Sequence, residues 1–213
     1  MKLKNLLHPV KYVEEESEAF RTERAEQHMD VMRPFVARII QERKIKKYAD
    51  FGCGQAHITD GIARQVLEAY PASICYAVDK KATPEKRFLG DMTYFRENIF
   101  KTRIPDDSLD FLVYNYMIQT RWTEEGQVEL IELAKKKLQI GGYLLISEIV
   151  RWENTKRNLI GHAKHVLYNG PLVAYNIRPL FYYEGLLRKQ GFSIRAVDYL
   201  GDGVIILARL ERR

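Results

Sequence analysis

The sequence predicts an α/β fold: a mostly parallel sheet with helices on both faces, finished by an antiparallel hairpin. Three observations carry this. From Lys47 onward, short apolar runs alternate with helical patterns. The runs are continuously apolar, as in parallel strands buried on both faces. The last two β-rich runs are separated only by Gly201-Asp202-Gly203, a hairpin turn.

Residues 14–44 are dense in helix formers, with acids early and bases late, a polarity that suits the helix dipole. Pro34 interrupts the stretch and predicts two helices, the second turning Phe35, Ile39 and Ile40 inward. Residues 1–45 are thus expected to form an N-terminal helical extension, and 46–213 the main domain. Tyr48–Phe51 reads as the first strand, followed by a glycine turn and a helix from about Ile58 to Tyr70. Ser73–Val78 is the second strand, closed by Asp79, and Arg87–Leu89 a brief third, closed by Gly90-Asp91. Leu109–Tyr114 is the fourth, and a helix follows from about Thr123 to Leu138. Gly141-Gly142 turns the chain into Tyr143–Ile149, the fifth. A helix over Tyr182–Gln190 stops at Gly191, and Phe192–Tyr199 and Val204–Leu210 form the hairpin.

A chain of 213 residues suits one domain and can bury a sizeable core. The N-terminus lacks the apolar core of a secretory signal, and no stretch approaches the ~20 apolar residues that cross a bilayer. The expectation is a soluble, intracellular protein with no membrane partner. Cys53 and Cys75 are the only cysteines, so neither a disulfide framework nor a zinc site is indicated. His162 and His165 are three apart without an evident third ligand, and no metal is expected. A net charge of +6 mildly favours an anionic partner such as RNA.

The stretch YADFGCGQA (48–56) is a strand running into a glycine turn. Such a unit places backbone N–H groups at the carboxyl edge of the sheet, where open α/β folds bind ligands. Gly52 and Gly54 have no Cβ, so a ligand can lie against the backbone. The third glycine of the G-x-G-x-x-G dinucleotide fingerprint is His57 here, which weakens a nicotinamide or flavin reading. Asp79 ends the second strand, where a carboxylate suits vicinal ribose hydroxyls. Asp91 is placed to face an adenine amine, Met92 to cover a ring, and Asn115 ends the fourth strand on the same rim. Helix capping is the competing role for each aspartate. Taken together, the residues point to a nucleoside cofactor. Cys53 sits where a small residue is sufficient, and no catalytic role is assigned to it.

The series ADFGCG, AVDKK, GDM, DDSLDFLVYN, KKKLQIGGYLLISE and GFSIRAVDYLGDGVIILARL resembles class I S-adenosylmethionine-dependent methyltransferases over residues 45–211. The resemblance implies a Rossmann-like, seven-stranded sheet whose last strand is antiparallel. It implies that Asp50, Gly52 and Gly54 line the methionine and ribose side, that Asp79 holds the ribose, and that Asp91 and Met92 hold adenine. Ala49–Gly54, Asp91-Met92 and Ser147–Glu153 are similar to the large-subunit rRNA adenine-N1 methyltransferases of the ribosomal RNA-processing protein eight type. That family implies an rRNA or ribosomal-particle partner and a nucleolar location. The chain departs from it in lacking a long basic N-terminal tail and in carrying extra residues after the fifth strand.

Methyl transfer from a sulfonium needs a base only if the nucleophile must lose a proton. Residues 114–117 read Tyr-Asn-Tyr-Met, without the prolines of exocyclic-amine enzymes, and no Pro-Cys pair supports cytosine-C5 chemistry. The insertion 151–178 interleaves Arg151, Lys156, Arg157, Lys164 and Arg178 with Trp152, Tyr168 and Tyr175, a pattern that suits RNA backbone and splayed bases or, alternatively, a packed lid. Tyr12, Arg21 and Arg24 are expected on the opposite wall. Three readings follow: an RNA-base methyltransferase, a small-molecule or protein methyltransferase with the insertion as lid, and a non-catalytic assembly subunit. No catalytic residue is assigned.

Overall fold

The computed structural model describes residues 18–81, 92–121, 123–149, 178–200 and 203–212. Among them, β1 (Lys47–Phe51), β2 (Ile74–Val78), β3 (Met92–Phe95), β4 (Leu109–Asn115), β5 (Leu138–Ile149), β6 (Phe192–Leu200) and β7 (Gly203–Leu210) form one sheet in the order β3-β2-β1-β4-β5-β7-β6. The first five strands are parallel, and β7 lies antiparallel between β5 and β6. The expected sheet, with its closing hairpin, is present.

Side-chain alternation along the central strands builds two cores. Phe51, Leu112, Tyr114 and Ile146 face α3 (Glu124–Lys137) and α4 (Leu180–Lys189), which contribute Leu130, Ala134 and Leu187. Tyr48, Phe111, Val113 and Leu145 face α1 (Glu18–Glu42) and α2 (His57–Ala69), which contribute Val36, Ile39, Ile62 and Val66. Each such fully buried aliphatic side chain stabilises the fold by about 1.5–3 kcal/mol. Helices therefore cover both faces, and α1 is part of the second core.

α1 is one helix, with Pro34 inside it. The break expected at Pro34 does not occur, for two reasons. Met29 and Met32 before the proline, and Phe35, Val36 and Ile39 after it, lie buried on one stripe that holds the helix across the interruption. Pro34 and Asp30, whose carbonyl loses its helical donor, both face solvent, where water replaces the missing bond.

The strand expected over Arg87–Leu89 lies outside the described residues. The strand that pairs with β2 is β3, where Thr93, Tyr94 and Phe95 supply the β-branched and aromatic side chains that a pleated edge favours. Gly141, at φ 80°, makes the turn expected before the fifth strand. The turn falls within β5, however, where the register against β4 jumps from Leu109–Leu138 to Phe111–Tyr143.

Buried Asp110 ties the amino ends of these strands together. Its Oδ2 accepts from the N–H groups of Lys46 (2.9 Å) and Lys47 (3.0 Å), and its Oδ1 from Arg43 Nε (3.0 Å) and Gln139 Nε2. Four donors satisfy a charge that burial would otherwise penalise.

Pro34→Ala restores a hydrogen bond at an exposed position, and the gain is partly offset by a freer unfolded chain. The expected stabilisation is about 1–2 kcal/mol, read as a higher urea midpoint with an unchanged slope. A lower midpoint would show that the ring itself is packed.

Candidate functional site

Successive strands step one way from β1 to β3 and the other way from β4 to β5. The helix after β1 (α2) and the helix after β4 (α3) consequently leave on opposite faces. The carboxyl ends of β1 and β4 flank the crevice this creates, the usual ligand position in open α/β sheets.

On the α1/α2 face, alternation along each strand leads from an apolar to a polar side chain: Tyr48 to Asp50, Val113 to Asn115 and Leu145 to Ser147, with Asp50 level with Val113 and the Asn115–Ser147 pair one step beyond. Asp50 is buried, and its Oδ2 accepts from Thr59 Oγ1 of α2 at 2.6 Å. Asp50 Oδ1 and Asn115 Oδ1 are buried with no hydrogen-bond partner. A cavity of about 350 Å³ opens onto both, walled by His28 of α1, by Cys53 and His57, and by Tyr116. Burial raises the Asp50 carboxyl from 3.8 to about 7; the Thr59 hydrogen bond opposes this, and the Asp79 charge adds to it.

The turn after β1 passes through Gly52 (φ 77°), Gly54 (φ 54°) and Ala56 (φ 68°). Gly52 N–H donates to the Val78 carbonyl at 2.7 Å. Gly54 N–H donates to Asp79 Oδ2 at 3.0 Å, while Asp79 Oδ1 accepts from Lys81 N–H at 2.7 Å. The two glycines act differently. A Cβ on Gly52 would stand 2.2 Å from Met117 Sδ, so this glycine serves packing. A Cβ on Gly54 would meet nothing within 4 Å, so this one opens onto ligand space. Burial, with the Asp50 and Asp79 charges, pushes the Cys53 thiol far up, and it stays protonated.

Asp50, Gly52, Gly54, Asp79 and Asn115 thus come together at one edge. Met92 does not join them. It opens β3 in register with Cys75, three residues below the edge residue Val78, and packs against the α1/α2 core. Beyond β3 the chain runs through Arg96 and Glu97 to Asn98, whose side chain caps the short helix Ile99–Lys101 by accepting Phe100 N–H at 3.0 Å. Asp91 and the insertion residues Arg151, Trp152, Lys156, Arg157, Lys164, Tyr168 and Tyr175 lie outside the described residues, as do Tyr12 and the side chains of Arg21 and Arg24.

Sequence reasoning missed His28. Its ring joins the cavity wall to the strands: Nε2 lies 2.8 Å from Ser147 Oγ and Nδ1 3.2 Å from Tyr116 Oη. The local signal is a histidine inside the apolar stripe of α1 beside Met29 and Met32. On the other face, Glu148 Oε1 accepts Ile118 N–H at 2.5 Å. Among the described residues no cluster of three His, Cys, Asp or Glu side chains is arranged to hold a metal, and no helix is long and apolar enough to cross a membrane.

Residues 49–146 match the family model described as "Methyltransferase domain". No curated protein sequence matches the chain. Among solved structures, an O-methyltransferase family protein from Burkholderia thailandensis is similar at TM-score 0.64 and 16% identity, over 94% of this chain and 62% of that one. The N,N-8-amino-8-demethyl-D-riboflavin dimethyltransferase of Streptomyces davawensis gives 0.60 and 22%, over 78% of this chain and 49% of that one. Human N-acetylserotonin methyltransferase, solved with S-adenosylmethionine, gives 0.57 and 16%, over 92% and 57%. The chain spans about half to three fifths of the length of these proteins, and the likeness establishes the fold.

Asp50 generates a pH prediction. Its folded carboxyl titrates near 7 and its unfolded one near 3.8. The native state therefore holds the extra proton between these values, and stability falls as pH rises from about 4 to about 7. Asp50→Asn is expected to flatten that slope in urea melts; an unchanged slope would remove Asp50 as its source.

Proposed function

We propose that this chain is an S-adenosylmethionine-dependent methyltransferase acting on a small molecule. One observation carries the reading: within the matched domain, at the switch point of the sheet, a buried carboxylate oxygen of Asp50 lacks a partner beside a glycine that opens onto empty space. These residues fit the cofactor. Asp50 Oδ1 suits its ammonium group, Gly54 admits it against the backbone, and Asn115 Oδ1 offers a second acceptor. Asp79 suits the ribose hydroxyls, its carboxylate already anchored by the Gly54 and Lys81 amides.

The cofactor supplies a methyl group on a sulfonium, already activated for displacement. The chain supplies position: His28 of α1 packs over Ser147, and the α2 hydroxyl of Thr59 fixes the Asp50 carboxylate.

The cavity beneath α1, about 350 Å³, is on the scale of small-molecule ligands. Two of the similar structures are named for small-molecule acceptors, a riboflavin derivative and N-acetylserotonin. The RNA reading rests on the insertion 151–178, outside the described residues, and on a net charge of +6. The comparisons lend no support to the rRNA adenine-N1 type or to the nucleolar location it implied.

Calorimetry with S-adenosylmethionine tests the site. Asp79→Ala should weaken binding about 10²–10⁴-fold, the worth of two hydrogen bonds to a charged group at about 1.5–3 kcal/mol each. Failure of the unmodified chain to bind would overturn the reading. Labelled methyl groups offered with small-molecule, protein and RNA fractions test the acceptor, and transfer to RNA alone would restore the nucleic-acid reading.

A further inference from the structure

We infer that the amino end of the sheet carries a second binding site, a pocket for a phosphomonoester built from arginines of three different elements. It stands apart from the methyltransferase reading and does not depend on it. A cavity of about 300 Å³ opens there, lined by Glu42, Arg43, Gly141, Tyr143, Arg195 and Arg209. Each arginine arrives by its own route. Arg43 continues the last turn of α1, its N–H donating to the Ile39 carbonyl at 2.9 Å. Arg209 lies on β7, in register with Tyr143 of β5 and Ser193 of β6. Arg195 is the extra residue of a bulge in β6, where the register against β7 passes from Ile194–Ala208 to Ala196–Leu207. Bulges of this kind re-aim a side chain.

Gly141 lets two of the charges converge. At φ 80° it has no Cβ, and a Cβ there would stand 2.9 Å from Arg43 Nη1 and 3.4 Å from Arg209 Nη2. Two guanidinium groups thus crowd one point of backbone, an approach that their repulsion opposes.

The acids around the cavity are already occupied. Asp110 serves four donors and takes Arg43 through Nε, which leaves Nη1 on the Gly141 side. Glu42 accepts from Arg38 Nε at 2.7 Å and from the Tyr143 hydroxyl. Glu211 accepts from Ser193 Oγ at 2.7 Å and stands 4.0 Å from Arg209 Nε. The Arg195 side chain makes no hydrogen bond or ion pair with any described residue. The two hairpin arginines therefore bring two positive charges against one distant acid.

A phosphomonoester answers this arrangement. It carries about 1.5–2 negative charges at pH 7 and three free oxygens, which planar guanidinium groups grip in pairs. A phosphodiester offers one charge and two free oxygens to the same three arginines. The bound group would join α1 to the β6–β7 hairpin, adding to the hydrogen bond from Arg38 Nη1 to the Arg195 carbonyl at 3.1 Å.

Calorimetry with phenyl phosphate, at fixed ionic strength and on the full chain, tests the pocket. Saturable binding is expected, weakened at least about tenfold by Arg195→Gln and by Arg209→Gln, each of which removes a charged donor. Dimethyl phosphate, a diester, should bind at least about tenfold more weakly than phenyl phosphate. Phenyl phosphate should also raise the urea midpoint of the unmodified chain but not that of Arg195→Gln, and without ligand the two midpoints should coincide. If Arg209→Gln fails to fold, Arg195→Gln, on the edge strand, decides alone. Absence of saturable binding, or unchanged affinity in Arg195→Gln, would overturn the inference. So would a lower ligand-free midpoint in that variant, which would make the arginine a structural one. Equal affinity for dimethyl phosphate, or displacement of phenyl phosphate by an RNA oligonucleotide without terminal phosphates, would replace the pocket with a nucleic-acid surface.

Discussion

The site depends on one constraint: three neighbouring strands end in a polar side chain on the same face, Asp50 level with Val113 and Leu145, and Asn115 and Ser147 one side-chain step beyond it. Asp50, Asn115 and Ser147 continue rows that are apolar everywhere below them. A buried polar group without a partner costs about 1–3 kcal/mol, so the row must be capped. α2 caps it with Thr59 and α1 with His28. Two oxygens, Asp50 Oδ1 and Asn115 Oδ1, stay uncapped beside the cavity. The fold thus tolerates an incomplete set of hydrogen bonds where a ligand would complete it. The raised Asp50 carboxyl is the electrostatic expression of the same shortfall.

The two ends of the sheet are built on opposite plans. At the amino end, Asp110 collects four donors from the entry to β1 and the start of β5, and its oxygens are satisfied. At the carboxyl end, positive-φ residues crowd the turns, at Gly52, Gly54, Ala56 and Tyr116. The parallel strands hold these two ends about 15–20 Å apart.

Most of the sheet was legible because its strands are short, continuous apolar runs bounded by acids and glycines. β1, β2, β4 and the hairpin need no knowledge of their neighbours to be recognised. β3 was not read over Met92–Phe95 because the Gly90-Asp91 pair drew the expected strand to Arg87–Leu89, outside the described residues, whereas β-branched and aromatic residues that pair with β2 come just after it. α1 was read as two helices because proline acts locally, while the packing that overrides it comes from the sheet beneath. Of the site, Asp50, Gly54, Asp79 and Asn115 were visible as strand-end residues. Tyr116 and His28 were not. The partners of His28 lie 88 and 119 positions away, and no local pattern encodes such a pairing. The different roles of Gly52 and Gly54 were equally hidden, since only the position of Met117 separates them.

Met117 links residues that sequence distance keeps apart. Its sulfur fills the space a side chain at position 52 would need, and the residue after it donates to Glu148 at the end of β5. A methyl group added to the first turn would push on the exit of β4 and, through Ile118, on the fifth strand. Position 52 is therefore held to glycine twice over: its φ of 77° strains any side chain, and the flexible thioether of Met117 occupies the space beside it, so loss of the thioether alone does not free the position.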